Sequence, residues 1–374
     1  MLTTLAVSGY RSLRDIVVPL APLTVVTGAN GSGKSNLYRA LRLLSATASG
    51  SLISAVAREG GLPSVLWAGP EQGGGEATIR RGPVAVQLGF AGDELGYLVD
   101  LGIPQSDQRS LFARDPEIKR EQVFAGPLAK PATLLIDRLR GATRVREGSW
   151  VTLDQQLAPF ESIVTDLADG DTAPELLTLR RMLGAWRFYD HFRVDADAPA
   201  RRPQVGTRSH TLAHGGENLA AVWATIQDAD HGAALDHAVD AAFPGARVQV
   251  TGNDGMFSLS LQLPGLLRPL QSTELSDGTL RYLLLCAALL PARPAPLIVL
   301  NEPEASLHAD LLAPLAQLIA AASERTQLIV VTHAPQLAAG LADAAHVELQ
   351  RTPDGTVVAG QGFLDVPAWN WGSR

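Results

Sequence analysis

A chain of 374 residues with 46% hydrophobic residues is long enough for a substantial buried core, in one large domain or two ordinary ones. A net charge of −7 excludes any global pull toward nucleic acid or anionic lipid, so contact with either requires a local basic patch. The single cysteine, Cys286, excludes an intrachain disulfide or a thiolate metal cluster and points to a reducing compartment.

Residues 2–7 and 16–20 read as strands, and the β-rich run Leu23-Thr24-Val25-Val26-Thr27 stops at a glycine-rich turn. Leu37, Ala40, Leu41 and Leu44 recur at helical spacing, which predicts a helix burying one face. A turn at 73–75 introduces short strands at 77–79, 84–90 and 97–101, an antiparallel meander. Residues 105–215 change character, with helix-like stretches at 153–167 and 175–188 between Pro- and Gly-containing segments, and read as an inserted helical subdomain.

From 216 onward helices (217–228, 233–243), strands (247–251, 257–263), a helix (276–290), a strand (297–300), a helix (309–322) and a strand (327–332) follow one another. That alternation predicts an α/β protein with a parallel core, whose first strand and phosphate loop come from the N-terminus. The expected organisation is an N-terminal lobe (1–104), the helical insertion (105–215) and a C-terminal lobe (216–374). No repeat or heptad run is present, so long coiled-coil arms are not expected. The apolar run between Arg281 and Pro291 is too short to span a bilayer, and residues 1–4 do not resemble a leader, so a cytoplasmic protein without a membrane partner is expected.

Gly28-Ala29-Asn30-Gly31-Ser32-Gly33-Lys34-Ser35 fits G-x-x-x-x-G-K-[ST], between an apolar strand and an amphipathic helix. Glycines at 28, 31 and 33 let backbone N–H groups, including those of Asn30 and Ser32, converge on phosphates, and the helix N-terminus adds partial positive charge. Lys34 is placed to reach the β- and γ-phosphates of ATP and Ser35 to ligate Mg²⁺. Asn36 either belongs to this cradle or is a first-turn residue satisfying a backbone donor.

Leu297-Ile298-Val299-Leu300 is a buried-strand run ending in Asn301-Glu302-Pro303-Glu304, so polar groups emerge at a strand's C-terminal end, where α/β proteins place ligands. This pattern is that of a Walker B segment. Glu302 is the candidate to orient and deprotonate the attacking water; the alternative is that it only caps the next helix. Asn301 stands where an acidic residue is usual. Its amide oxygen can accept from a Mg²⁺-bound water but brings no negative charge, which predicts weaker Mg²⁺ retention and slow turnover.

Glu274-Leu275-Ser276-Asp277-Gly278-Thr279 opens a strongly apolar helix, with Ser276 as cap and Gly278 allowing close approach. With Gly9-Tyr10-Arg11-Ser12, residues 28–36, 301–308 and Thr332-His333-Ala334-Pro335, the chain resembles the RecF/SMC-like branch of the ABC-type ATPases, and more closely its small AAA-family members without coiled-coil arms. The resemblance implies an ABC-type head with a mixed core sheet, an antiparallel β-subdomain and the helical insertion. It implies that ATP is buried between two heads, with Ser276 and Gly278 as ligands in trans, residues 305–308 as the D-loop and His333 as the switch histidine. Arg11 matches a family position near the nucleotide, although a solvated turn explains it as well. The family's Q-loop glutamine is either Gln72 or Gln87.

Two weaker signals are a His210/His214 pair at i, i+4 and the arginines of 137–210. These eleven arginines face eleven acidic residues, which favours a mixed solvated surface over a DNA-binding face. The function implied is Mg²⁺-ATP hydrolysis in an ATP-dependent homodimer serving DNA repair or genome maintenance. The alternative is a weakly hydrolysing switch that regulates a separate effector, a nuclease or toxin, in a defence system. Without an Asn-Lys-x-Asp segment, a small GTPase is disfavoured.

Overall fold

The computed structural model describes residues 1–69, 85–104, 111–167, 173–229, 231–362 and 364–372. Gln72, the turn expected at 73–75 and the strand expected at 77–79 lie outside these residues. Alternating apolar residues make the first two strands a hairpin: β1 (Leu2–Tyr10) and β2 (Leu13–Pro19) pair antiparallel with Val7 opposite Ile16. Next come β3 (Leu23–Gly28), α1 (Lys34–Ala46), α2 (Leu52–Arg58) and α3 (Leu62–Val65). Six strands follow: β4 (Ala85–Gly92), β5 (Leu95–Gly102), β6 (Glu117–Ala125), β7 (Leu134–Leu139), β8 (Ala142–Glu147) and β9 (Ser149–Thr152).

The chain then forms α4 (Ile163–Asp166), α5 (Pro174–Ala185), β10 (Arg187–Tyr189), β11 (Gln204–Val205), α6 (Leu219–Asp228) and α7 (Gly232–Ala242). After β12 (Arg247–Asn253), β13 (Met256–Gln262) and β14 (Leu270–Gln271) come α8 (Asp277–Leu289), β15 (Leu297–Asn301) and α9 (Leu312–Ser323). The last elements are β16 (Gln327–Val331), α10 (Pro335–Gly340), β17 (Ala345–Thr352) and β18 (Gly355–Val358). Contacts divide the chain into two units, one of residues 1–21, 26–186 and 345–374, the other of 22–25 and 187–344.

In the first unit an antiparallel sheet has the order β2-β1-β4-β5-β6-β7-β8-β9. This corrects the helical insertion expected over 105–215. Residues 117–152 supply four strands of that sheet, and the helix expected at 153–167 shrinks to Ile163–Asp166. The division near residue 105 therefore falls inside one unit, and the change of unit lies between 186 and 187. Glu121 and Arg138 face each other across β6 and β7 with both side chains fully buried, 2.6 Å apart. Glu121 also accepts from Tyr97 Oη (2.6 Å), Ser162 Oγ (2.6 Å) and Ile163 N (3.0 Å), so no lone pair is stranded in low dielectric. Burial and the Glu121 charge together push the Tyr97 phenol well above its usual pKa.

The second unit holds parallel strands in the order β10-β15-β16, with Tyr189 opposite Leu300 and Asn301 opposite Val331. The strands and helices expected between 217 and 332 are found in that order, with the two-residue β14 added between β13 and α8. Its core gathers Trp223, Tyr282, Leu283, Ile298, Leu300 and Ile319, all at most 1% exposed. Cys286 lies in this core on α8, and burial pushes its thiol pKa far up. The native thiol is therefore expected to resist a disulfide-exchange reagent until denaturant is added; fast labelling of native protein would contradict this packing. Among the described residues no helix is long and apolar enough to cross a membrane.

Candidate functional site

β3 ends in Gly28, and the turn into α1 depends on backbone angles closed to most residues: φ is +143° at Gly28, +77° at Gly31 and +108° at Gly33. Two of these glycines are also required by space. A Cβ at Gly28 would lie 2.3 Å from the Leu349 carbonyl oxygen, and one at Gly33 would lie 2.4 Å from Thr356 Oγ1. The loop is thus pressed against the β17–β18 hairpin, whose Thr356 hydroxyl donates to the Ser32 carbonyl (2.8 Å).

Lys34, buried, donates to the carbonyl oxygens of Gly28 (2.6 Å) and Ala29 (3.0 Å), which holds its ammonium over the loop. Ser35 and Asn30 are exposed, and the buried Ser32 Oγ has no hydrogen-bond partner. Helix α1 begins without a side-chain cap and without an acidic residue in its first turn, so its positive end is not neutralised. A loop with no room for a Cβ at Gly28 or Gly33, an orphaned hydroxyl and an uncapped helix N-terminus together fit a polyphosphate.

Asn36 has a partner across the turn. Its Nδ2 donates to Ser12 Oγ (2.9 Å), and Ser12 Oγ lies 2.9 Å from Thr356 Oγ1, so Asn36 ties the N-terminal turn to the loop's backing. Arg11, at φ +50°, donates to Glu59 from Nε (3.1 Å) and Nη2 (2.6 Å). With Ser12, Trp67 and Arg351 it lines a cavity of about 450 Å³. The Arg351 guanidinium reaches the loop, 3.9 Å from where a Cβ at Gly31 would stand.

In the second unit the ends of β15 and β16 bring the acidic segment and the histidine together. Glu302 adopts φ +49°, a conformation costing about 1–3 kcal/mol for a residue with a side chain. Its N–H donates to the Val331 carbonyl (2.8 Å), and its own carbonyl accepts from Arg281 Nη2 (3.0 Å). The carboxylate is half exposed, with Oε1 3.6 Å from His333 Nδ1. The reading of Glu302 as a helix cap is therefore set aside: its side chain has the histidine as neighbour, and His308 caps the next helical turn.

Glu304, which the sequence did not single out, is buried and holds the histidine's loop. Its Oε1 accepts from Thr332 Oγ1 (2.6 Å), His333 N (3.0 Å) and Ala334 N (3.2 Å). Arg281 is buried beside this cluster; desolvation lowers its pKa against the opposing pull of Glu304 and Glu302. For Mg²⁺ the donor set fits in kind: Asn301 Oδ1 and Glu304 Oε2 are buried oxygens without a partner.

Ser276 caps α8, accepting from Thr279 N (3.1 Å), and a Cβ at Gly278 would meet the Ser306 carbonyl at 3.0 Å. Both line an open groove of about 630 Å³ with His308 and Asp310. The Leu275 and Ser272 carbonyls are held by Arg201 Nη1 (2.7 and 3.0 Å), and Arg201 Nη2 meets Asp277 (2.7 Å).

Arg201 and Arg138 are thus buried ties, Arg193, Arg202 and Arg208 pair with exposed aspartates, and Arg144 pairs with the largely buried Asp137. His210 and His214 lie in a segment without helix, and His214 bonds to the Phe188 carbonyl and Asp190. Among the described residues no group of three or more His, Cys, Asp or Glu side chains could hold a metal ion. Gln87 hydrogen-bonds Asp100 within the antiparallel sheet (3.3 Å).

Residues 23–339 match the protein family described as "AAA domain, putative AbiEii toxin, Type IV TA system". Among curated proteins, an OLD nuclease of Thermus scotoductus is 48% identical over 44 residues, 12% of this chain and 8% of that protein's length. Among solved structures, an Smc head bound to the C-winged helix domain of ScpA matches with TM-score 0.53, over 96% of this chain and 97% of that one. The SMC head domain of Thermotoga maritima matches with TM-score 0.50, over 96% and 98%. At 15% identity these two likenesses concern the fold: an α/β head with a mixed sheet and an antiparallel β-subdomain.

Proposed function

Because the chain belongs to this ABC-type, OLD/AbiEii-like family of AAA-domain ATPases, we propose that it binds Mg²⁺-ATP on residues 28–35 and hydrolyses it in a head-to-head dimer. The observation that carries the reading is the phosphate loop itself. Three glycines hold the turn in left-handed backbone, the helix behind them is uncapped, and Lys34 lies over the turn. Lys34 exchanges its two loop carbonyls for phosphate oxygens, and Ser35 offers its hydroxyl to the cation. When bound, Mg²⁺ neutralises charge on the β- and γ-phosphates. Glu302 orients the attacking water and accepts its proton, and His333, beside it, senses the γ-phosphate. Ser276 and Gly278 present a second helix N-terminus for the nucleotide of a partner head.

The test is nucleotide affinity of the full chain by fluorescent ATP titration. Lys34→Ala is expected to weaken binding roughly 100-fold, since hydrogen bonds to charged groups are worth about 1.5–3 kcal/mol and 1.4 kcal/mol is tenfold. Equal affinity in wild type and variant would remove the phosphate-loop assignment.

The cellular role first expected is DNA repair or genome maintenance. One observation favours the second reading, a slow nucleotide switch acting on a separate effector such as a nuclease or toxin: Asn301, at the end of β15, brings no charge to the cation. Single-turnover rates separate the two, a switch holding unhydrolysed ATP far longer than a cycling ATPase.

A further inference from the structure

The C-terminal ends of β15 and β16 carry two buried oxygens that nothing in the protein satisfies. One is Asn301 Oδ1, on the last residue of β15, in register with Val331 of β16. The other is Oε2 of Glu304, a side chain 7% exposed. Its sister oxygen is fully used, accepting from Thr332 Oγ1, His333 N and Ala334 N, with His333 Nδ1 at 3.4 Å. A carboxylate held so firmly by one oxygen has the other fixed in direction. Burial of that second oxygen without a donor is costly unless a donor arrives with a ligand. Arg281, buried beside this cluster, spends its Nη2 on the Glu302 carbonyl.

We propose that Glu304 is a positioning residue that supplies part of the negative charge Asn301 lacks. Its Oε1 fixes the loop bearing His333, and its Oε2, together with Asn301 Oδ1, accepts from water bound to the divalent cation of the nucleotide. Part of the charge expected one residue before Glu302 is thereby delivered two residues after it. The inference rests on the Mg²⁺-ATP reading above and adds the source of the cation's outer-shell charge.

A purely structural tie makes a different prediction, because Glu304→Gln keeps an acceptor for the Thr332, His333 and Ala334 donors but replaces Oε2 by an NH₂ donor without charge. The experiment is Mg²⁺ titration of fluorescent-ATP affinity, starting in EDTA, with melting temperature as the check on folding. Glu304→Gln is expected to raise the Mg²⁺ concentration at half-effect about 10-fold, in the range typical of lost outer-shell ligands, and to leave metal-free affinity unchanged. Asn301→Asp in that background restores most of the loss, and Asn301→Asp alone lowers the Mg²⁺ requirement of the otherwise unaltered chain. An unchanged titration for Glu304→Gln, an equal loss with and without Mg²⁺, or failure of Asn301→Asp to act in either background overturns the proposal. Failure of the wild type to bind ATP at all overturns the nucleotide reading instead, and this proposal with it.

Discussion

Glu302→Gln is expected to lower the turnover of ATP by roughly 10²–10⁴-fold, the range set by loss of a positioned general base, with nucleotide affinity and melting temperature nearly unchanged. The affinity is spared because the side chain lies at a strand end and not in the phosphate loop. Stability is spared because the carboxylate is 45% exposed and makes no hydrogen bond that folding depends on. What holds position 302 in its left-handed conformation is backbone: the bond to Val331 and the grip of Arg281 on its carbonyl. Both survive the substitution. A strained residue kept in place by its surroundings, with a titratable neighbour in His333, is the pattern of a site that gives up local stability for geometry. With turnover blocked and binding intact, the same variant should elute as a dimer in size-exclusion chromatography with Mg²⁺-ATP and as a smaller species without it. Full turnover by Glu302→Gln would assign the base elsewhere, and an unchanged elution volume would leave Ser276 and Gly278 without a role in trans.

Glu121→Ala should destabilise the first unit by about 3–5 kcal/mol, the cost of leaving one member of a buried ion pair alone. Both partners are fully buried, and Arg138 spends its other donors on the Arg140, Ala158 and Glu161 carbonyls, so it cannot swing into solvent to recover its hydration. At roughly 2–4 °C per kcal/mol for a unit of this size, the melting temperature should fall by about 6–20 °C. Joint replacement, Glu121→Leu with Arg138→Met, removes both charges and should cost much less, because no ion is stranded. A double variant as unstable as Glu121→Ala would mean that the carboxylate matters for the Tyr97, Ser162 and Ile163 donors and not for the arginine. Chemical denaturation monitored by circular dichroism distinguishes these outcomes.

The phosphate loop was legible from the sequence because its chemistry is local. Eight consecutive residues supply the turn, the cation and the helix start, and their conformation needs glycine at fixed spacing whatever surrounds them. The parallel core after residue 216 was legible for a similar reason, since buried strands and amphipathic helices announce themselves by period. Between 105 and 215 the period misled. Strands β6–β8 mix charged residues with short apolar runs, and the pairing that makes them a sheet starts from β5, outside the segment.

By itself, then, the sequence determined the glycine-rich turn, the carboxylate at a strand end and the family. Tertiary structure alone decided what holds those groups in place. Thr356 and Leu349 back the phosphate loop from more than 300 residues away, Glu304 fastens the loop of His333, and Arg201 fastens the turn before α8. These are hydrogen bonds and close contacts between residues remote in sequence, without motif or periodicity to mark them. Their partners are fixed only when burial makes an unmet donor or acceptor costly.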